Sequence, residues 1–312
     1  MDNNMPVVSV CIVTYNQETF IEEAIKGVLL QKECDYELII ADDCSTDGTL
    51  TICQHYQKKH PELIRIIEQP QNKGVIENTK DCLMACIGKY IAICEGDDYW
   101  IDENKLKKQV DILNQFQDIS MVHTSWNNFF QSTGKFQPRL LSDEDHICLH
   151  KPGKESVKEI MTGRYFGIRL SSVCFRNDIL KKAISTDSEL FSHKFTTFDI
   201  ALFYLMAYHG RLYRIKDITL VYRVQQESVS ITSDTEKAAK YLLGCLYVKD
   251  HFINLYKLDR CFAQKALMPT FHALFKYSYQ AHDKNMLKKT KQLACSSGYH
   301  ITLGQRIRSW FT

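Results

Sequence analysis

Hydrophobic and polar positions alternate in two kinds of segment through the first 125 residues. Short, nearly continuous apolar runs are followed by stretches in which apolar residues recur at helical spacing. Such continuous runs are typical of parallel strands that are covered on both faces. The predicted strands of this part are residues 7–14, 37–41, 64–67 and 90–94. Strands that alternate with helices indicate βαβ units, and therefore an α/β fold with a mostly parallel, Rossmann-like sheet flanked by helices.

Two local signals refine this prediction. Thr19 and Glu22 have the spacing of a capping box, so we expect the first helix to begin near Thr19. Pro269 lies in a late helical stretch, where we expect it to break or to start a helix.

The pattern becomes less regular in the second half of the chain. Residues 127–153 lose their periodicity and are predicted as a long loop. The strand predictions here are 119–124, 169–176, 212–215 and 219–224, and the helix predictions are 104–116, 179–183 and a mostly apolar helix from Phe198. Beyond Thr235 the pattern is wholly helical, in segments of about 236–256, 259–281 and 283–295. We therefore predict a C-terminal helical extension.

Composition narrows the class of protein without identifying a function. The net charge is only +2, so we expect no nucleic-acid partner. Twelve cysteines occur without any Cys-x-x-Cys pair, which argues against a zinc site or a redox motif. Unpaired thiols inside apolar runs suit a reducing cytosol. We find neither a signal-peptide pattern nor a membrane-spanning run, so we expect a cytoplasmic location.

An acidic cluster follows the fourth predicted strand. Glu95, Asp97 and Asp98 come directly after it, with Gly96 between them. Adjacent carboxylates repel each other and need a counter-charge, which a divalent cation carrying a diphosphate would supply. The alternative for an isolated Asp-Asp pair is a solvated acidic turn.

Two further strand ends carry chemically suitable residues. Asp42 and Asp43 follow the second strand, and Thr14, Tyr15 and Asn16 follow the first. Because neighbouring parallel strands bring their carboxyl ends to one edge, these groups should build a cleft for a base, a ribose and a metal. The alternative for residues 42–49 is a helix cap.

Glycine-rich phosphate-binding motifs are missing from this chain. The sequence has no Gly-x-Gly-x-x-Gly after the first strand and no Gly-x-x-x-x-Gly-Lys loop. Phosphate should therefore be held through a metal.

Together these motifs resemble the family 2 glycosyltransferases, which have the GT-A fold. The matching segments are residues 8–16, 39–49, 72–74 and 95–98, in that order. The resemblance covers about residues 7–125 closely and extends more loosely to about 232. It implies a nucleotide-sugar-binding half (1–125), an acceptor-binding half (126–232) and a C-terminal helical region (233–312).

The resemblance also implies roles for individual residues. Asp97 and Asp98 would form the site of a divalent metal, Mn²⁺ or Mg²⁺. Glu95, where the family more often has aspartate, would face the ribose. The residues implied in nucleotide binding are Thr14, Tyr15, Asn16, Glu18, Asp42, Asp43, Lys73, Glu95 and Asp97.

The implied catalytic base lies in the acceptor half. Asp199 stands before an apolar helix, as the family's base does; the alternative is a simple helix N-cap. Arg223 belongs to a Tyr-Arg segment and would bind phosphate, but Gln225 replaces the family's usual histidine. Arg169, Ser171 and Ser172 are weaker acceptor-side candidates, which an exposed strand would explain equally well.

The implied activity is inverting transfer of a sugar from a nucleoside-diphosphate donor, most simply a UDP-sugar, to an acceptor hydroxyl. The acceptor would be a saccharide or a lipid-linked saccharide of a bacterial surface polysaccharide. The alternatives are a nucleotidyltransferase and a non-catalytic sugar-nucleotide-binding protein.

The C-terminal tail adds one expectation about location. Residues 284–312 contain six lysines and arginines but no acidic residue, and Trp310 and Phe311 follow. This composition suits contact with an anionic membrane surface at the inner face. The alternative is a helical tail that packs on the catalytic domain with a solvated basic face.

Overall fold

The structure, a computed structural model, describes residues 5–138, 152–163, 167–225 and 232–297. Nine strands form one sheet, and ten helices surround it in this part of the chain. The strands are β1 (Val8–Thr14), β2 (Tyr36–Asp42), β3 (Ile64–Glu68), β4 (Tyr90–Ile93), β5 (Tyr99–Trp100), β6 (Ile119–Phe130), β7 (Lys135–Pro138), β8 (Cys174–Arg176) and β9 (Arg211–Val224). The helices are α1 (Ile21–Leu29), α2 (Thr49–Lys59), α3 (Val75–Met84), α4 (Lys105–Gln115), α5 (Lys154–Met161), α6 (Asn177–Thr186), α7 (Asp199–His209), α8 (Thr235–Leu255), α9 (Arg260–Gln280) and α10 (Lys284–Ser296).

The sheet has the order β3-β2-β1-β4-β8-β6-β9-β5, with β7 paired to β6. Its first four strands are parallel, as predicted. Thr14 at the end of β1 lies opposite Asp42 at the end of β2, and β4 ends beside β1. The polar residues after these three strands therefore meet at one edge of the sheet.

Successive residues of β1 point into two different cores. Val8, Val10 and Ile12 pack in the core beneath α1, α2 and α4. Cys11 points the other way, into the core formed with α3 and with the helices of the second half. Because both faces are covered, the strand sequence is continuously apolar, which explains the pattern that predicted it.

The predicted capping box at α1 is wrong. The cap position is Phe20, and no side chain caps the helix. The backbone N–H groups of Phe20 and Ile21 instead donate to the carbonyl of Gln17. The carboxylate of Glu22 accepts a hydrogen bond from the hydroxyl of Tyr56 instead of one from the backbone at the start of the helix.

The second half is more regular than predicted. The loop prediction is wrong for residues 127–138, because β6 continues to Phe130 and β7 pairs back onto it; residues 139–151 lie outside the described part. The two strands predicted at 212–215 and 219–224 are one strand, β9, because β9 pairs with β6 along its length. Residues 170–172 form a 3₁₀ turn, so strand begins only at β8. The expected division at residue 125 falls inside β6.

The C-terminal helices α8, α9 and α10 occur as predicted. Pro269 lies inside α9, so the predicted helix break is wrong. The apolar face of α10 is buried through Met286 and Leu287, while its four lysines are exposed. Trp310 and Phe311 lie outside the described residues. None of the helices described is both long enough and apolar enough to cross a membrane.

Candidate active site

The loops after β1 and β2 are joined by hydrogen bonds. Asn16 adopts a left-handed backbone (φ 51°), which asparagine tolerates, and its N–H donates to Ser45 Oγ at 2.9 Å. Its side-chain Oδ1 accepts from Thr46 N at 2.8 Å. Glu18 Oε2 accepts from Gly48 N at 2.7 Å. The predicted nucleotide residues Asn16 and Glu18 thus fix the loops at this edge, beside the exposed ring of Tyr15.

Asp42 has one carboxylate oxygen without a protein partner. Its Oδ2 accepts from Ser45 N at 2.9 Å, whereas Oδ1 is buried and meets no donor in the described residues. A buried unsatisfied acceptor costs about 1–3 kcal/mol, so a ligand N–H at this position would be favourable. Asp42 is therefore well suited to hold a nucleobase.

Asp43 and Lys73 make contacts within the protein. The carboxylate of Asp43 accepts from the backbone N–H groups of Lys73 at 2.8 Å and Gly74 at 2.9 Å. The ammonium of Lys73 pairs with Asp81 at 2.7 Å. These contacts anchor the loop at residues 72–74 against the end of β2, and a direct nucleotide contact by either residue stays a prediction.

Gly96 allows the acidic loop to approach the β1 loop. A Cβ atom at this position would lie 2.2 Å from Gln17 Oε1 and 3.2 Å from Thr14 Oγ1. Gln17 in turn accepts a hydrogen bond from Thr14 Oγ1 at 2.8 Å. A side chain at position 96 would therefore displace the Gln17 amide from its contact with Thr14.

Asp98 is a buried anchor. It is 1% exposed, and its two oxygens accept from Arg223 N at 3.0 Å and from Ser171 Oγ at 2.7 Å. Burial, and next the charge of Asp97, raise the pKa of Asp98 to about 8. Both oxygens of Asp98 are thus engaged by the protein, and direct binding of a metal by this residue stays a prediction.

Asp97 and Glu95 are partly exposed and complete the carboxylate cluster. Asp97 Oδ2 accepts from Gln225 Nε2 at 3.0 Å, so the residue that replaces the family's histidine contacts the cluster. Burial raises the pKa of Asp97. Burial, followed by the charges of Asp98, Asp97 and Asp199, raises the pKa of Glu95 well above its ordinary value. The raised pKa values mean that no positive charge beside these carboxylates fully offsets their burial. Carboxylate oxygens in such a cluster are suitable ligands for a hard divalent cation.

Protein side chains alone do not complete a metal site. In the part of the chain that the structure describes, no group of three His, Cys, Asp or Glu residues is arranged to hold a metal ion. A cation at this cluster would need oxygen ligands from a bound molecule as well.

Ser171 has a larger role than the sequence indicated. Its hydroxyl accepts from Glu95 N at 3.0 Å and donates to Asp98 Oδ2. Ser172 is also buried, and its hydroxyl donates to the carbonyl of Arg169 at 2.6 Å. The exposed-strand alternative for these serines is therefore wrong, and Ser171 holds the acidic loop in place.

Asp199 begins α7 at the far side of this cluster. Phe198 occupies the cap position, and no side chain caps the helix, so the N-cap alternative for Asp199 is wrong. Asp199 Oδ1 accepts from Ile200 N at 2.7 Å and from the hydroxyl of Thr197. Burial raises the pKa of Asp199, which makes its carboxylate a better proton acceptor.

Two arginines differ in their surroundings. The guanidinium of Arg169 lies 4.0 Å from the ring centroid of Tyr222, and its charge partly offsets the effects of burial on Glu95, Asp98 and Asp199. Arg223 pairs with Glu23 and donates to the carbonyl of Asp97 at 2.6 Å. Arg223 thus ties the acidic loop to α1, and its predicted phosphate contact stays a prediction.

A cavity of about 900 Å³ opens beside Asp199. Asp199 and Arg169 form part of its wall, and α8 and α9 supply much of the remainder. Glu95, Asp97 and Asp98 do not line it. Asp199 therefore lines this cavity, and its charge also acts on Glu95 of the carboxylate cluster.

Paired acids follow the carboxyl edge of the parallel sheet, and one further carboxylate, Asp199, begins α7. This arrangement is the one expected of a glycosyltransferase. Residues 9–174, more than half of the chain, match the family described as Glycosyl transferase family 2. The chain belongs to this family.

Relatives show how far the similarity extends. The chain is 38% identical over 113 residues to "Putative teichuronic acid biosynthesis glycosyltransferase TuaG" of Bacillus subtilis, covering 36% of this chain and 44% of that protein. It is 22% identical over 274 residues to the "GalNAc(5)-diNAcBac-PP-undecaprenol beta-1,3-glucosyltransferase" of Campylobacter jejuni, covering 88% and 82%. The chain spans about a third of the length of the first curated relatives it matches, which are 46% identical over 114 residues.

Solved structures establish the fold. TarS residues 1–349 of S. aureus, in complex with UDP-GlcNAc, match with a TM-score of 0.61 at 17% identity, over 90% of this chain and 83% of that one. The mannosyltransferase PcManGT of Pyrobaculum calidifontis, in complex with GDP-Man and Mn²⁺, matches with a TM-score of 0.52 at 15% identity, over 98% and 79%. The predicted GT-A fold is confirmed.

Proposed function

We propose that this protein is an inverting glycosyltransferase that moves a sugar from a UDP-sugar to an acceptor hydroxyl with the help of Mn²⁺ or Mg²⁺. One observation carries the proposal. Asp199, with its raised pKa, lines the 900 Å³ cavity and lies close enough to the strand-end carboxylates for its charge to raise the pKa of Glu95. A base placed between a donor site and an acceptor site is what direct transfer requires.

The donor would occupy the edge formed by the ends of β1, β2 and β4. Asp42 Oδ1 would accept from the nucleobase, because this oxygen is buried without a partner. Glu95 would face the ribose, and Asp97 would be the principal metal ligand, with Asp98 holding the loop. A bound divalent cation would neutralise the diphosphate as it leaves.

The protein's own part in the reaction is positioning and proton transfer. Asp199 takes the proton of the acceptor hydroxyl while the acceptor oxygen bonds to the anomeric carbon and the bond to the diphosphate breaks. Because this is a single displacement, the configuration at the anomeric carbon inverts. The raised pKa of Asp199 strengthens it as a base.

The acceptor would be a saccharide, free or lipid-linked, of a bacterial surface polysaccharide. Support comes from what the relatives' names state: teichuronic acid biosynthesis for one and an undecaprenol-linked acceptor for the other. The family assignment favours glycosyl transfer over the nucleotidyltransferase alternative. We place the enzyme in the cytoplasm, at the inner face of the membrane.

Incubation of the protein with a panel of UDP-, TDP- and GDP-sugars tests the proposal. We expect UDP release from one UDP-sugar, dependent on Mn²⁺ or Mg²⁺, and a product whose NMR coupling constant shows the inverted anomer. A protein that binds UDP-sugars but neither hydrolyses nor transfers them would support the non-catalytic alternative.

Membrane contact through the basic C-terminal region is a separate part of the proposal. The exposed lysines of α10 support it, since each basic residue near an anionic surface contributes about 1 kcal/mol. Truncation at Gly298 keeps the lysines of α10 but removes Arg306, Arg308, Trp310 and Phe311. It should reduce binding to anionic liposomes at low salt without changing UDP affinity. Full-length protein that ignores such liposomes would contradict this part.

A further inference from the structure

The wall of the cavity opposite the carboxylate cluster has an unusual charge. Among the described lining residues, Asp199 is the one carboxylate, whereas Arg169, Lys249 and Lys265 are cations. The positive charge of Arg169 is balanced by the carboxylates of Glu95, Asp98 and Asp199, on all of which it acts. The two lysines lie on α8 and α9, away from that cluster, so this end of the cavity carries net positive charge.

Lys249 has no charged partner among the residues that the structure describes. Its ammonium donates to the carbonyl of Ala266 at 3.3 Å and to Thr270 Oγ1 at 3.2 Å, both neutral acceptors at long distances. No described carboxylate forms an ion pair with it. Burial lowers the pKa of Lys249, as expected for a cation that has lost water without gaining an anion. Such a group is stabilised by an anionic ligand.

The spacing along α8 places Lys249 relative to the base. Tyr241, Cys245 and Lys249 are separated by four residues each and all line the cavity, so they form one row on one face of the helix. The charge of Asp199 acts on both Tyr241 and Cys245. Lys249 therefore lies one to two helical turns beyond the base, roughly 6–12 Å along α8. This distance is about the span of one or two sugar units.

We propose that the acceptor of this enzyme carries an acidic group, a phosphate or a carboxylate, that binds Lys249 and Lys265 while the attacking hydroxyl reaches Asp199. The proposal rests on the proposed function and adds the chemical class of the acceptor. The remaining wall is largely apolar, with Phe203, Leu242 and Met268 among its residues. Lys249 is partly buried, so a salt bridge to it is less screened than one to Lys265, which is exposed.

Two acceptor chemistries satisfy this site, and the experiment separates them. One is a sugar diphosphate carrying a short isoprenoid chain, and the other is a methyl uronoside. The matched neutral acceptor is the methyl glycoside without the acidic group. We expect one of the two acidic acceptors to have a KM at least about tenfold below that of the neutral one.

Variants assign the effect to Lys249. Lys249→Gln removes the charge but keeps a polar side chain, and it should raise the KM ratio of acidic to neutral acceptor about tenfold or more. Lys249→Arg should restore the ratio. Lys276→Gln removes an exposed lysine of α9 that does not line the cavity, and it should leave the ratio unchanged.

The outcomes separate this inference from the proposed function. Equal KM values for acidic and neutral acceptors, or a ratio unchanged in Lys249→Gln, would overturn the acidic-acceptor proposal while transfer itself stands. If no donor is turned over, the proposed function fails, and calorimetric binding of the two acidic compounds to the wild type and to Lys249→Gln still tests the site.

Discussion

Replacement of Asp98 by asparagine should stabilise the metal-free protein at neutral pH. The buried carboxyl is held by Arg223 N and Ser171 Oγ, and an amide of the same shape can keep both contacts. Asparagine has no titrating proton, so the variant folds without having to keep a carboxyl protonated at a pH at which the unfolded chain would ionise it. The same substitution at Asp97, which is partly exposed, is the matched control and should give a smaller gain.

The magnitude follows from the pKa of Asp98, which rises from 3.8 to about 8. A carboxyl with a raised pKa contributes stability below pH 3.8, and this contribution is lost as pH rises toward 8, because the folded state retains a proton that the unfolded state releases. At pH 7 the loss spans about three pH units, or up to about 4 kcal/mol. At about 1.5 °C per kcal/mol for a chain of 312 residues, the melting temperature of Asp98→Asn should exceed that of the wild type by as much as about 6 °C.

Thermal unfolding in EDTA at pH 4 and pH 7 tests this expectation. The difference between Asp98→Asn and the wild type should be small at pH 4 and should grow toward pH 7. A difference that does not depend on pH, or a variant that is less stable at pH 7, would refute the assignment of Asp98 as a buried carboxyl with a raised pKa.

Two further predictions concern other buried ionisable groups. Asp199→Asn should keep UDP affinity while turnover falls roughly a hundredfold or more, because the amide cannot accept a proton; a variant that retains most of its turnover would show that the base lies elsewhere. Lys105 is fully buried, contacts Gln109 and the ring of Trp100, and has its pKa lowered by burial from 10.5 to about 8. From pH 8 to 10.5 the unfolded chain keeps a proton that the folded protein has lost, so this lysine adds stability as pH rises, by about 3 kcal/mol. The stability of the wild type relative to Lys105→Met, from denaturant unfolding, should rise by that amount across this range, and a flat difference would contradict the prediction. The charges of Cys174, Cys94 and Asp102 oppose the effect of burial on Lys105, and these three residues are present in both proteins.

The strand ends could be predicted from the sequence because their physical cause is local. β1, β2 and β4 are covered on both faces, so each is an apolar run that ends at its first polar residues. Parallel pairing then brings those residues to one edge without any further information.

The different surroundings of Asp97 and Asp98 could not be predicted. The two residues are adjacent, and what distinguishes them is contact with Ser171 and Arg223, which lie 73 and 125 residues from Asp98 along the chain. The same reason applies to Gln17, which is close to Gly96 only because β1 and β4 are neighbours.

The second half of the chain was predicted less well because tertiary pairing overrides local pattern there. Residues 127–130 at the end of β6, Asn-Asn-Phe-Phe, do not alternate between polar and apolar, yet they are strand because β7 and β9 supply hydrogen-bonding partners on both sides. The cavity depends on how α8 and α9 pack against α7, which no local pattern contains. From the sequence alone, Lys249 could therefore not be distinguished from the other lysines of the C-terminal helices.

The most direct test of the central claim is the calorimetric affinity of UDP for the wild type and for Asp97→Asn, each in Mn²⁺ and in EDTA. If the strand-end carboxylates hold the diphosphate through a cation, wild-type affinity should fall in EDTA by about tenfold or more, as metal-site disruption typically does. Asp97→Asn in Mn²⁺ should then bind UDP as weakly as the wild type does in EDTA. Equal UDP affinity under all four conditions would contradict the claim.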